Sequence, residues 1–159
     1  MEDVYRLQRF VDAQDPVYEQ VLAELRRGRK VGHWMWFVFP QIAGLGRSAI
    51  AQTFAVLSLH EAGAYVSHPV LGPRLIECSS LVAAVSGRTA RQIFGHPDDM
   101  KLRSSMTLFM KAAPGTKAFQ QILDGYFDGE PDQRTLDLLE RLSALPGSDR
   151  GRDTIARMM

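Results

Sequence analysis

The residues His33-Trp34-Met35-Trp36-Phe37-Val38-Phe39-Pro40-Gln41 hold both tryptophans of a 159-residue chain, and Trp34 to Phe39 are six apolar side chains in a row, four of them aromatic. A large aromatic side chain buries roughly 150–250 Å², so other elements must pack around this run wherever it lies. Periodicity fits a buried strand or a buried helix, and the aromatics by themselves favour a strand. No other stretch alternates convincingly to pair with it, whereas helix signals recur on both sides. The run is therefore expected to be a short buried helix stopped near Pro40. Its polar ends, His33 and Gln41, and the following Gly44-Leu45-Gly46-Arg47-Ser48 place a candidate site beside the core.

The rest of the chain reads as helices. Val4, Leu7, Phe10 and Val11 give one apolar face over about Val4 to Gln14. Asp15-Pro16 suits an N-cap and first helical position, with Val17, Val21 and Leu25 as the stripe and Gly28 as the stop. Ser48 can cap a helix to about Phe54, and Ser58-Leu59-His60-Glu61 forms a capping box for a helix to about Ser67. His68 to Pro73 breaks the chain, after which Leu75, Cys78, Leu81, Val82 and Val85 share a face until Gly87. Thr89 to Gln92 is a second capping box for a short turn ending at Gly95, and Pro97-Asp98-Asp99 opens a helix to about Lys111. Phe119, Ile122, Leu123 and Tyr126 mark another helix, and Asp132 can cap the one carrying Leu136, Leu139 and Leu142. These elements imply an all-α fold: a single compact multi-helix domain over residues 3–145 around a buried aromatic segment, with 146–159 a loosely held polar tail.

Several function classes fall away on composition. No apolar window approaches the roughly 20 residues of a membrane span. Nineteen basic against eighteen acidic residues, net +1, do not suit a protein that coats nucleic acid, although Arg26, Arg27, Arg29 and Lys30 with Arg47 form a local basic patch that allows weak nucleic-acid binding. The N-terminus has neither the basic start nor the apolar core of a signal peptide, and Cys78 is the only cysteine, so a cytoplasmic chain without disulfides is expected. Four histidines with no pair at helical spacing offer no metal cluster, and no cofactor is implied.

The residues that could carry chemistry lie in three segments. Gly44-Leu45-Gly46-Arg47-Ser48 before a helix joins free amides, a hydroxyl and a guanidinium, as helix N-termini that bind phosphate do; a plain turn with an N-cap would use the same residues. His33 is a candidate general acid/base or anion donor, against a packing histidine. Lys101, Ser104 and Ser105 fall within one helical turn and can form a polar pocket wall, while serine hydroxyls bonding back to helix carbonyls explain the same pattern. A serine nucleophile is not supported, because neither a Ser-x-x-Lys order nor a Gly-x-Ser-x-Gly elbow occurs.

Through the strings His-Trp-Met-Trp-Phe, Phe-Pro-Gln, Gly-Leu-Gly, His-Pro-Val-Leu-Gly and Lys-Leu-Arg-Ser-Ser-Met-Thr-Leu-Phe, the chain resembles an uncharacterised bacterial domain-of-unknown-function family, some members of which bear the misleading name calpastatin. The resemblance spans about residues 3–140. It implies an all-helical fold and a recurring motif set of His33, Trp34, Gln41, Gly44, Gly46, Ser48, Lys101, Ser104 and Ser105, and it brings no established activity. The leading expectation is a pocket, possessing or lacking catalysis, for a small anionic, nucleotide-derived ligand. In it Trp34 or Trp36 stacks on the ligand, Gly44, Gly46, Arg47, Ser48 and Lys101 hold the charge, Gln41, Ser104 and Ser105 complete the wall, and His33 is the acid/base. The alternative is a non-catalytic interaction module in which the aromatics are all core and the polar motifs only cap helices.

Overall fold

The computed structural model describes residues 3–144. Among them lie ten helices: α1 (Gln8–Gln14), α2 (Tyr18–Arg27), α3 (Met35–Val38), α4 (Ala49–Thr53), α5 (Leu59–Ser67), α6 (Leu71–Ala84), α7 (Ala90–Phe94), α8 (Asp98–Ala112), α9 (Lys117–Tyr126) and α10 (Gln133–Ala144). No helix among these residues is long and apolar enough to cross a membrane. The two longest, α6 and α8, are each packed by both α5 and α9; α2 lies against α6, α7 and α10 against α8, and α1 against α3. The fold is all-α, as the recurring caps and apolar stripes imply. The single isolated bridge among these residues, parallel between Ile42 and Val56, ties the two ends of the segment that carries α4, through Ala43 N–H to Val56 O at 2.8 Å and Val56 N–H to Gln41 O at 2.9 Å.

The aromatic run makes the four-residue helix α3, flanked by Trp34 and Phe39. It divides between two ring clusters. Trp34 and Phe39 meet Phe94 of α7 at centroid distances of 6.4 and 6.0 Å. Phe37 points the other way, to Phe54 at 5.4 Å, which in turn touches Phe10 at 5.6 Å. From Phe10 a chain of rings passes through Tyr65 and Phe109 to Phe119, joining α1, α5, α8 and α9. Trp34, Phe39, Phe10, Tyr65, Phe109 and Phe119 are all at or below 1% exposed, so the run sits where the helices converge.

Three boundaries differ from the sequence reading. Helix α1 begins at Gln8, because the Asp3 carboxylate accepts the Leu7 and Gln8 amides at 2.7 and 2.8 Å and caps it from outside; Val4 is left 70% exposed. Asp15 is not an N-cap. It has helical φ and ψ and gives its own N–H to Val11 O, whereas an N-cap needs the extended region. Helix α2 starts at Tyr18 without a side-chain cap, and Asp15 pairs with Arg74 at 2.9 Å. Helix α6 begins at Leu71 rather than after Pro73. The His68 ring nitrogen Nδ1 accepts from the Val70 and Leu71 amides at 3.1 Å each, and Pro73 is tolerated because an amide in the first helical turn has no partner within the helix. A Cβ on Gly72 would stand 2.0 Å from Val66 O, so the close turn from α5 into α6 requires glycine. The polar tail over 146–159 lies outside the described residues.

Candidate functional site

A buried carboxylate organises the approach to the aromatic run. Gly28 ends α2 in the left-handed conformation (φ 71°), and the chain turns back so that Val31 N–H, Gly32 N–H and Trp34 Nε1–H all donate to Glu24 Oε1, at 2.7, 2.9 and 3.0 Å. Gln20 Nε2 donates to the other oxygen at 2.7 Å. Burial pushes this carboxyl upward, but the Gly32 and Val31 amides, then Gln20 and Trp34, outweigh it and hold it at about 2. Glu24 is thus an anion at neutral pH, with its donors supplied by the segment it shapes.

From Trp34 a chain of contacts leads outward. Lys30 Nζ lies 5.2 Å from the centroid of the Trp34 ring and 2.8 Å from Asp98 Oδ2. The other Asp98 oxygen meets Lys101 Nζ at 3.3 Å, and that ammonium lies 5.2 Å from the Trp36 ring. Two lysines thus share one carboxylate, each over a different tryptophan, and Lys101 is held at the first turns of α8.

There Lys101 faces a cleft of about 350 Å³ that it shares with Gln41, Gly46, Ser104, Asp132 and Arg134. Leu45, Pro97 and Met100 supply apolar surface to the same cleft. Four elements contribute: the strand-like residue before the Ile42 bridge, the glycine loop, the start of α8 and the start of α10. The bridge sets Gln41, and Gly46 lies so close to α4 that a Cβ there would be 2.5 Å from Ala51 Cβ. The Asp132 Oδ2 atom accepts from Thr135 N–H at 3.0 Å, Thr135 Oγ1 at 2.6 Å and Ser104 Oγ at 3.2 Å. Thr107 Oγ1 accepts the Asp132 amide at 2.8 Å and donates to Arg103 O at 2.8 Å. Arg134 is exposed and has no ion pair among the described residues. Among the described residues the cleft therefore has one braced acid, one paired cation and one unpaired cation.

Of the residues picked out from sequence, Gln41, Gly46, Lys101 and Ser104 come together here. The others lie elsewhere. Trp34 is 1% exposed and belongs to the core; of the two tryptophans, Trp36 is the one next to Lys101. His33 is exposed on the segment held by Glu24 and does not line the cleft. Gly44 and Arg47 are exposed, and the Ser48 hydroxyl accepts the Ala51 amide at 3.2 Å as an N-cap. Ser105 turns into the protein, where its Oγ is buried and without a hydrogen-bond partner among the described residues. Ser104 Oγ also lies 3.1 Å from Met100 O, so its one proton serves a helix carbonyl or Asp132 in turn.

Sequence reasoning assigned Asp132 a capping role, which it has, without placing it in the cleft, and did not single out Arg134. Their position depends on how α10 packs on α8, for which local spacing gives no signal. Glu24 and Asp98 were also missed as organisers; a glutamate on the apolar side of α2, beside Val21 and Leu25, was the available sign for the first. Cys78 is buried, and burial pushes its thiol up to about 12, so it is not a nucleophile at neutral pH. Among the described residues no His, Cys, Asp and Glu group is placed to hold a metal ion.

The comparisons with known proteins agree with this architecture. The crystal structure of the conserved hypothetical protein Rv1873 from Mycobacterium tuberculosis is similar at 54% identity and a TM-score of 0.86, over 87% of this chain and 99% of that one. No curated protein matches the chain. The model of the family described as "Protein of unknown function (DUF1810)" matches residues 4–139, and the chain belongs to that family.

Proposed function

We propose that the cleft at Lys101 binds a small anionic ligand of nucleoside-monophosphate type. The observation that carries this reading is the meeting of Gln41, Gly46, Lys101 and Ser104, from three separate segments, with Arg134 on one cleft of about 350 Å³. That size lies at the small end of the ~300–1,000 Å³ typical of ligand pockets. Lys101 and Arg134 supply positive charge for the phosphate. The Gln41 carboxamide, donor and acceptor at once, suits the edge of a heterocycle, and Leu45, Pro97 and Met100 offer apolar surface to its faces. The reading assigns binding to the cleft and no bond-making step; His33 has no part in it.

A thermal-shift comparison of inorganic phosphate, glucose 6-phosphate, AMP and NAD tests it. A ligand at a hundredfold excess over its dissociation constant stabilises by about 2.7 kcal/mol. AMP is expected to raise the melting temperature of wild type and to lose that effect in Lys101→Met, which keeps the apolar stem without the ammonium, and in Arg134→Gln. If none of the four shifts wild type, the interaction-module reading takes its place. That reading has its own support in Ser48, which caps α4, and in Asp132, which accepts the Thr135 amide at the start of α10.

A further inference from the structure

A second recess lies away from the Lys101 cleft, where the ends of α2 and α6 meet. Arg26 and Arg27 from α2 and Arg88 from the loop after α6 line a cleft of about 370 Å³. Leu81, Ala84 and Val85 form its apolar part. The exposed Arg88 runs beside Gly28 and Val85: a Cβ on Gly28 would meet Arg88 Cδ at 3.5 Å and Val85 Cγ1 at 3.2 Å. Among the described residues none of the three guanidinium groups has an ion pair or hydrogen bond, and no carboxylate lines the cleft.

Cations near a helix C-terminus often serve only to complement exposed carbonyls. Here part of that need is met by other groups. The end of α2 is closed by its own backbone, with Gly28 N–H to Leu25 O at 3.0 Å and Arg29 N–H to Glu24 O at 3.1 Å. At the end of α6 the Tyr126 hydroxyl reaches Val82 O at 2.6 Å and Val85 O at 3.0 Å. Three arginines, whose guanidinium groups carry five donors each in a planar fork, line one recess.

We propose that Arg26, Arg27 and Arg88 form a site for the phosphate group of a small organic phosphomonoester whose body rests on Leu81, Ala84 and Val85. A phosphomonoester carries about −1.5 to −2 at neutral pH, which suits three arginines lining one recess better than the single charge of each phosphodiester in a nucleic acid. The wider basic patch that a nucleic acid would need is also reduced, because Lys30 is 8% exposed and paired with Asp98.

The test is a titration of phenyl phosphate into isotope-labelled wild type, Arg88→Gln, Arg26→Gln and Lys101→Met, followed by amide chemical shifts, with a short DNA duplex as competitor. The free spectra first establish that each exposed-site variant is folded. Saturable shifts at Gly28, Ser86 and Arg88 are expected in wild type and Lys101→Met alike, with affinity lower by at least about tenfold in either arginine variant, the loss of one charge-assisted hydrogen bond. Absence of saturable shifts at these amides, or equal affinity in the arginine variants, would overturn the proposal. So would a DNA duplex that binds the same amides more tightly than phenyl phosphate. Shifts confined to Gly46 and Lys101 would overturn it too, while leaving the first cleft supported; loss of the Lys101 reading alone leaves this site intact.

Discussion

Trp34 and Trp36 stand on either side of Met35, and each has a lysine ammonium 5.2 Å from its ring. Both lysines bind Asp98. What differs is the other face. Trp34 has Phe39 and Phe94 around it and a buried carboxylate on its indole N–H, whereas Trp36 is half-buried beside the Lys101 cleft. Two equal neighbours in sequence thus become a core residue and an edge residue. The lesson is that a contact of the same geometry carries different weight according to what water can reach: a desolvated cation–π pair is worth about 2 kcal/mol, and an exposed one about 0.5–1.

The largest effect that could break this contrast is truncation of each ring in turn. Trp34→Ala is expected to cost about 3–5 kcal/mol, as for a fully buried tryptophan, and Trp36→Ala about 1–2, for partial burial. Urea unfolding of both variants checks this; equal losses would erase the distinction.

Acid titration sharpens the core side. The folded Glu24 carboxyl, at about 2, lies below its ordinary 4.5, so its contribution is complete above that ordinary value and is lost as pH falls toward the folded value. The full span corresponds to on the order of 3 kcal/mol. Unfolding free energy measured down the acid range should fall accordingly in wild type, and Glu24→Gln should be less stable at neutral pH and flatter on acidification. A wild-type-like acid limb in that variant would place the dependence elsewhere.

The cleft side responds to smaller changes. Gly46→Ala would set a methyl 2.5 Å from Ala51 Cβ, and overpacking of this kind costs about 1–3 kcal/mol. Crystallography or amide shifts should show the displacement confined to the glycine loop and α4. Lys101→Met should change stability by less than about 1 kcal/mol, since its pair with Asp98 is partly solvated, yet remove ligand binding. A large loss of stability with binding kept would reverse the roles given to the two lysines.

Most of the helices could be read locally because their caps are local. Thr89 and Gln92 make the reciprocal box, Ser48 and Ser58 accept their expected amides, and Gly28 ends α2. The failures have a common cause. Asp15 looked like a cap but was claimed by the helical geometry continuing from α1 and by distant Arg74, and α1 was shortened by Asp3, which caps from outside the apolar stripe. The cleft was half legible: Lys101 and Ser104 share a helix turn, and Gln41 stands shortly before the glycine loop that holds Gly46, so each pair is close in the sequence. That the pairs meet each other, and that Asp132 and Arg134 join them, follows from packing of α10 on α8, which no short-range pattern encodes. Trp34 and Trp36 could not be distinguished without knowing which ring Phe94 covers.

The contrast between the two tryptophans is tested most directly by their indole N–H signals in 1H–15N spectra as AMP is added. Engagement of Lys101 by the ligand phosphate should draw the ammonium off the Trp36 ring, so the Trp36 signal moves saturably while that of Trp34, bonded to Glu24, stays in place, and Lys101→Met abolishes the movement. A Trp34 signal that moves with or instead of Trp36, or two signals that never move, would contradict the assignment of one ring to the core and the other to the edge beside Lys101.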